Sequence, residues 1–311
     1  MEGHDIDEAA TIDVGRYGGR REMTRGEGDE LGPFRLLPGT WRGCASGWSM
    51  VALPFVSAPP GRLDYRLVLD QFDETLTFSA VERSVITLES EQRVSRVAVV
   101  ERPAAGGAGD SVRHAPGVFL HMRDQVGDGP TIARLATVPY GDAALALGNV
   151  VAVDGPPRFE DVDALPIGVP DGLANPYLEP YRFFHENPFR GRAGFPGFDP
   201  TQPQVLLQRA NQLQPVARST VLLLDTQPDP RDVPLVVQEV NATRMQSIFW
   251  INELVEKGAN GDPKLQLQYL QIVDLEFFPR RDGWPGRIVW PHVSINTMDK
   301  VTIDASSVEL D

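Results

Sequence analysis

The chain has a single cysteine, Cys44, in 311 residues. A lone thiol excludes an intramolecular disulfide framework and any zinc site built from several cysteines. Positive charge is also short: 29 Lys and Arg stand against 43 Asp and Glu, a formal net charge of −14. No Lys/Arg cluster overrides that balance, which repels a phosphate backbone and an anionic membrane surface. Neither nucleic acid nor membrane is an expected partner. Long hydrophobic runs are missing too. The longest, AALALGNVVAV at 143–153, is too short and too interrupted to span a bilayer. The opening MEGHDIDEAA is acidic where a secretory signal is basic and then apolar. The expectation is a cytoplasmic protein whose partner is a small molecule, with a homodimer as a possible assembly.

Familiar chemical motifs are absent as well. The sequence holds no GxxxxGK[ST], no HExxH and no GxSxG. It shows no strand–helix alternation of the dinucleotide-binding kind. Cys44 has no supporting signature for a nucleophile and reads as a small buried hydrophobe.

What is present is apolar residue in a strand rhythm. Hydrophobic residues make up 41% of the chain, enough for a sizeable core. In TLTFSAV, Leu76, Phe78 and Ala80 alternate with Thr75, Thr77 and Ser79, the period of a strand with one buried face. Further short segments of this kind run to residue 153, punctuated by RPAAGGAGD at 102–110 and DQVGDGP at 124–130. Many strands joined by Gly/Asp turns predict an antiparallel sheet closed as a barrel or doubled as a sandwich. Strand patterning resumes at STVLLLDT (219–226). Across 265–277, Leu265, Leu267, Tyr269, Val273, Leu275 and Phe277 share a face with Gln271 as the exception. Gln266, Gln268, Asp274 and Glu276 lie opposite, which predicts a long strand wet on one side.

Between these halves, residues 154–217 are rich in proline and aromatics, a composition hostile to regular strands. QVLLQRANQLQ at 204–214 predicts one short helix there. Tyr177, Tyr181, Phe183, Phe184, Phe189 and Phe195 imply that the segment packs on the barrel or caps it. The expected organisation is therefore a mobile head over 1–30, a first barrel part over 31–153, an irregular insertion over 154–217, a second barrel part over 218–303 and a tail over 304–311.

Five histidines are the remaining candidates for chemistry. His4 lies in the head, and His185 in RFFHENPF reads as a packed or solvated ring. His114 and His121 flank one strand in VRHAPGVFLHM, where His121 shares a face with Phe119. His292 sits in RIVWPHVSINTMDK, on a face with Trp290, Ser294, Asn296 and Met298, opposite Val289, Val293 and Ile295. Both faces are partly apolar, so alternation alone leaves open which way the ring points.

LPGTWRG at 37–43, the strands after it, RHAPGVFLHM and the terminal WPHVSINTMDK together resemble the nitrobindin and fatty-acid-binding-protein-like heme barrels. The likeness spans roughly 36–153 and 235–301. It implies an all-β, calycin-like antiparallel barrel, similar to nitrobindins and lipocalins, with the Pro/aromatic-rich insertion as an addition. It further implies heme b on a proximal His292, with Gly39, Trp41 and Gly43 as the opening motif and His114 with Gly117 as the mid-chain motif. His114 or His121 is then placed to meet a ligand on the distal side. Ferric iron so held acts in that family on peroxynitrite, nitric oxide or peroxide. The glycine repeat is broken at CASGWS, and Ala115 and Pro116 stand where an acidic residue follows the mid-chain histidine. The alternative is a heme-free barrel for an apolar small molecule, either a carrier or a biosynthetic enzyme with the insertion as a lid.

Overall fold

The computed structural model describes residues 31–54, 65–82, 85–100, 104–105, 112–114, 116–122, 129–138, 142–191, 197–226, 241–276 and 284–301. The head, the tail and most of the turns at 102–110 and 124–130 lie outside the described residues. Twelve strands follow in chain order: β1 (Gly39–Pro54), β2 (Tyr65–Glu82), β3 (Val85–Val100), β4 (Ala104–Ala105), β5 (Val112–His114), β6 (Gly117–His121), β7 (Ile132–Val138), β8 (Asp142–Asp154), β9 (Val216–Asp225), β10 (Asn241–Lys257), β11 (Pro263–Glu276) and β12 (Trp290–Lys300).

The hydrogen-bonded order is β2-β1-β12-β11-β10-β9-β8-β7-β6-β3, and β2 also pairs β3. That last pairing closes the sheet. Setting aside β4 and β5, which lie on β3, ten of the twelve strands form the ring. Every pairing is antiparallel. Closure removes the sheet edges that would otherwise offer unpaired backbone groups.

Alternation then sorts side chains into two cores. One cluster takes residues from all ten ring strands, among them Trp41, Phe78, Leu88, Phe119, Ile132, Ala146, Leu222, Phe249, Tyr269 and Met298. This is the lumen. The second takes Trp48, Leu67, Val221, Trp250, Leu270 and Ile295 from the opposite faces, together with Val162, Leu178, Tyr181, Phe184, Phe198 and Leu207 of the insertion. The insertion therefore packs on the outer wall. It carries two helices, α1 (Glu179–Glu186) and α2 (Val205–Leu213). α2 is the helix expected from the sequence. α1 was not foreseen: Pro180 sits in its first turn, where the missing N–H costs nothing.

This packing corrects the reading of β11 as wet on one side. Gln266 and Gln268 face outward yet are fully buried beneath the insertion. Asn252 donates to both amide oxygens, and Gln268 donates to the Leu207 carbonyl at the start of α2. These polar outward residues are buried because each finds a hydrogen-bond partner on the wall or in the insertion.

One end of the lumen is plugged. A 3₁₀ turn, Gly32–Phe34, lays Phe34 and Leu37 over the barrel bottom, where both are fully buried. Trp41 Nε1 donates to the Leu37 carbonyl at 2.8 Å. Lys300, at the end of β12, stands 5.1 Å above the Trp41 ring and donates to the Leu36 carbonyl. The opening motif and the last strand are thus pinned to the plug by a cation–π contact and two hydrogen bonds.

Candidate functional site

β12 supplies the first element of the site. Val293 and Ile295 belong to the outer core and Met298 to the lumen, so Ser294 and Asn296 face the lumen, and His292 joins them through its contact with Ser49; Trp290, expected on the same face, packs instead in the outer core against Tyr65 and Tyr177. His292 is 4% exposed. Its Nε2 lies 3.1 Å from Oγ of Ser49 on the neighbouring β1. Pro291 makes no bulge against β11, since the register with that strand runs unbroken from Trp290 to Asp299. The described β1–β12 register ends at Met50 and Val293, so Pro291 falls where no ladder bond to β1 is made.

Deeper in the lumen lies a polar floor that the sequence reading missed. The Glu74 carboxylate of β2 accepts from Ser90 Oγ, Gln92 Nε2, Tyr269 Oη and Asn296 Nδ2. Four neutral donors satisfy one buried charge. Burial, reinforced by Glu74, holds the Tyr269 phenol well above its ordinary pKa, so it stays a neutral donor. Arg134 of β7 donates from Nη1 to Ser247 Oγ and Gln271 Oε1. Its guanidinium lies over Phe119 and Phe249, at 5.5 and 4.9 Å from the ring centres. A signal for these residues existed. Arg134 interrupts the apolar face of Ile132 and Ala136, and Gln271 was the noted exception on β11.

Gly43 makes the floor possible. A Cβ there would fall 2.8 Å from Asn296 Oδ1. Just beyond it β1 carries two extra residues, because Gly43 pairs Glu74 while Gly47 pairs Phe72. The bulge holds Ala45 at φ 53° and fixes it to the side chains of Asp73 and Gln71. Cys44, next to the lumen-facing Gly43, points outward by alternation. The reading of Cys44 as a buried hydrophobe is corrected: the thiol is exposed, on a cleft of about 280 Å³ beneath α2.

The remaining sequence candidates are scattered. Gly39 and Trp41 build the plugged end. His121 is there too: its ring packs edge-on against Phe34, and a Cβ on Gly32 would fall 2.6 Å from it. His292 lies eight residues before Lys300 on one strand, about 26 Å away along the chain. His121 and His292 thus sit toward opposite ends of the barrel. His114 ends β5 opposite Glu91, and its side chain lies outside the described residues. His185, in the last turn of α1, is bound to Asp199 and Thr201 on the insertion. Among the described residues no three His, Cys, Asp or Glu gather as a metal site. No helix among them is long and apolar enough to cross a membrane.

The fold is an all-β, calycin-like barrel. No family model matches the chain, and no curated protein matches it. Among solved structures it is similar to Rv2717c from M. tuberculosis, at 13% identity and a TM-score of 0.37, over 88% of this chain and 98% of that one. So distant a likeness carries no function, and the barrel stands on its own strand pairing.

Proposed function

We propose that the protein binds heme b in the half of the lumen away from the plug, with His292 as the residue that would hold its iron, and acts on a small reactive ligand such as peroxynitrite, nitric oxide or peroxide. One observation carries this reading: the imidazole is buried and faces the lumen. The surroundings fit a flat apolar group. Val51, Met245, Val273 and Leu275 are buried beside or above His292 on lumen faces. β12 and β7 stand five places apart in a ring of ten, so these walls face each other. On the far wall Ala136 of β7 and Ala144 of the adjacent β8 are small, which leaves width. The sequence resemblance to nitrobindins, through LPGTWRG and WPHVSINTMDK, points the same way.

Bound there, heme would supply iron chemistry toward a small ligand. The chain's own residues do the rest. His292 provides the donor nitrogen, Ser49 sets its tautomer, and the apolar lining excludes water. The polar floor offers hydrogen bonds from Arg134 below.

A second reading, a heme-free barrel for an apolar small molecule, is favoured by the Ser49 contact at Nε2 itself. The insertion is not needed as a lid in either case, because its described part covers the outer wall. Hemin titration separates the two. Wild type is expected to give a Soret band that shifts on adding imidazole or nitric oxide, and His292→Ala to lose it. Identical spectra for the two proteins exclude ligation by His292. A folded wild type that gives no band leaves the heme-free reading.

A further inference from the structure

Arg134 is 8% exposed, in the middle of a closed barrel. Guanidinium carries five N–H donors in a fixed planar fork. Nη1 uses its two on Ser247 and Gln271, both neutral acceptors. Nε is buried and has no acceptor among the described residues. Nη2 makes no hydrogen bond to them either. The Nε/Nη2 edge is the side of an arginine that grips a carboxylate in two parallel bonds. Here that edge has no partner among the described residues, although burying a cation without one is costly.

Glu74 does not supply the missing partner. Its two oxygens are taken by Ser90, Gln92, Tyr269 and Asn296. It acts on Arg134 only through space, raising the basicity that burial lowers; burial wins, and the pKa stands at about 10. The guanidinium is therefore still charged at neutral pH. Phe119 and Phe249, whose ring centres are 5.5 Å apart, lie on one side of it, and the two Nη1 bonds fix its plane, so the donors are aimed before any ligand arrives.

We propose that Arg134 anchors an oxyanion subsite in the lumen floor, where its Nε/Nη2 edge takes a carboxylate or a comparably small, flat oxyanion. Two sources share this chemistry: a free oxyanion, or the acidic end of an organic molecule whose apolar part lies in the upper lumen. Glu74 disfavours a doubly charged group, so the ligand is a monoanion. The subsite needs no iron, and the test below uses protein without heme. It stands or fails apart from the hemin titration.

The experiment is calorimetric titration with three probes: sodium nitrite, sodium heptanoate and heptanamide, the last being a neutral match for the second. Wild type is expected to bind nitrite, or heptanoate at least about tenfold more tightly than heptanamide. Arg134→Gln is expected to remove the binding or the preference. Nitrite alone assigns the site to free oxyanions, and heptanoate alone to organic acids. Equal affinity for acid and amide without nitrite binding, or an unchanged pattern in Arg134→Gln, overturns the proposal. Should that variant not fold, wild type with isotope-labelled arginine decides by nuclear magnetic resonance. A slowly exchanging Nε–H signal must then move with nitrite or heptanoate and stay still with heptanamide; no such movement overturns it.

Discussion

Nε2 of His292 lies 3.1 Å from Oγ of Ser49, across the β1–β12 seam and inside the lumen. The two residues are 243 positions apart in the chain. Closure of the sheet is what brings them together: β1 opens the ring and β12, the last strand, packs beside it.

Ser49→Ala leaves a buried imidazole nitrogen without this partner. The expected loss is about 1–2 kcal/mol of unfolding free energy. A double-mutant cycle with His292→Ala should return a coupling of about 1 kcal/mol. Additive effects would mean that the contact contributes nothing.

Asp274, on the outer face of β11, has its pKa raised from 3.8 to about 6. Burial is the main cause; Asp225 adds to it and Arg244 opposes it. The folded carboxyl thus holds its proton more tightly than the unfolded one. Folding takes up a proton between these values, so stability falls as pH rises from 3.8 to about 6 and stays lower above. The size is on the order of 3 kcal/mol. Asp274→Asn should flatten this limb and be the more stable protein at neutral pH. Urea midpoints measured against pH for both proteins check it; parallel curves would sink the assignment.

Tyr181 of α1 is fully buried between insertion and barrel, and its hydroxyl has no acceptor among the described residues. Burial pushes its pKa far up. Tyr181→Phe removes a desolvated hydroxyl and keeps the ring. Stability should be unchanged or gain up to about 1 kcal/mol. A loss beyond about 1 kcal/mol in thermal or urea unfolding would reveal a bridging water.

Gly148 of β8 touches the backbone of β9 so closely that a Cβ would fall 1.8 Å from the Leu223 carbonyl oxygen. Its neighbour on that strand cannot move without breaking the ladder. Gly148→Ala should cost about 2 kcal/mol or more. A wild-type melting temperature in this variant would show that β8 and β9 sit further apart.

Period-two alternation was legible wherever one face is strongly apolar. Leu76 and Phe78 point inward as the TLTFSAV rhythm required. The same rule failed at β12 and β11. β12 has apolar residues on both faces, and both are buried: Val293 under the insertion, Met298 in the lumen. On β11 the polar face is covered by the insertion, so polarity did not mean water. Arg134 could be seen as a charge on an apolar face, but not its contact with Gln271, 137 residues away.

By itself the sequence determined a chain of amphipathic strands, interrupted by a proline- and aromatic-rich segment that must bury its rings. Those features are local: they depend on which residues stand two apart. The direction of the His292 ring, the covering of the outer wall and the convergence of Arg134, Glu74 and Tyr269 were decided by closure. A ring of ten strands brings together side chains from distant positions, and only their shared exclusion from water fixes which face turns inward.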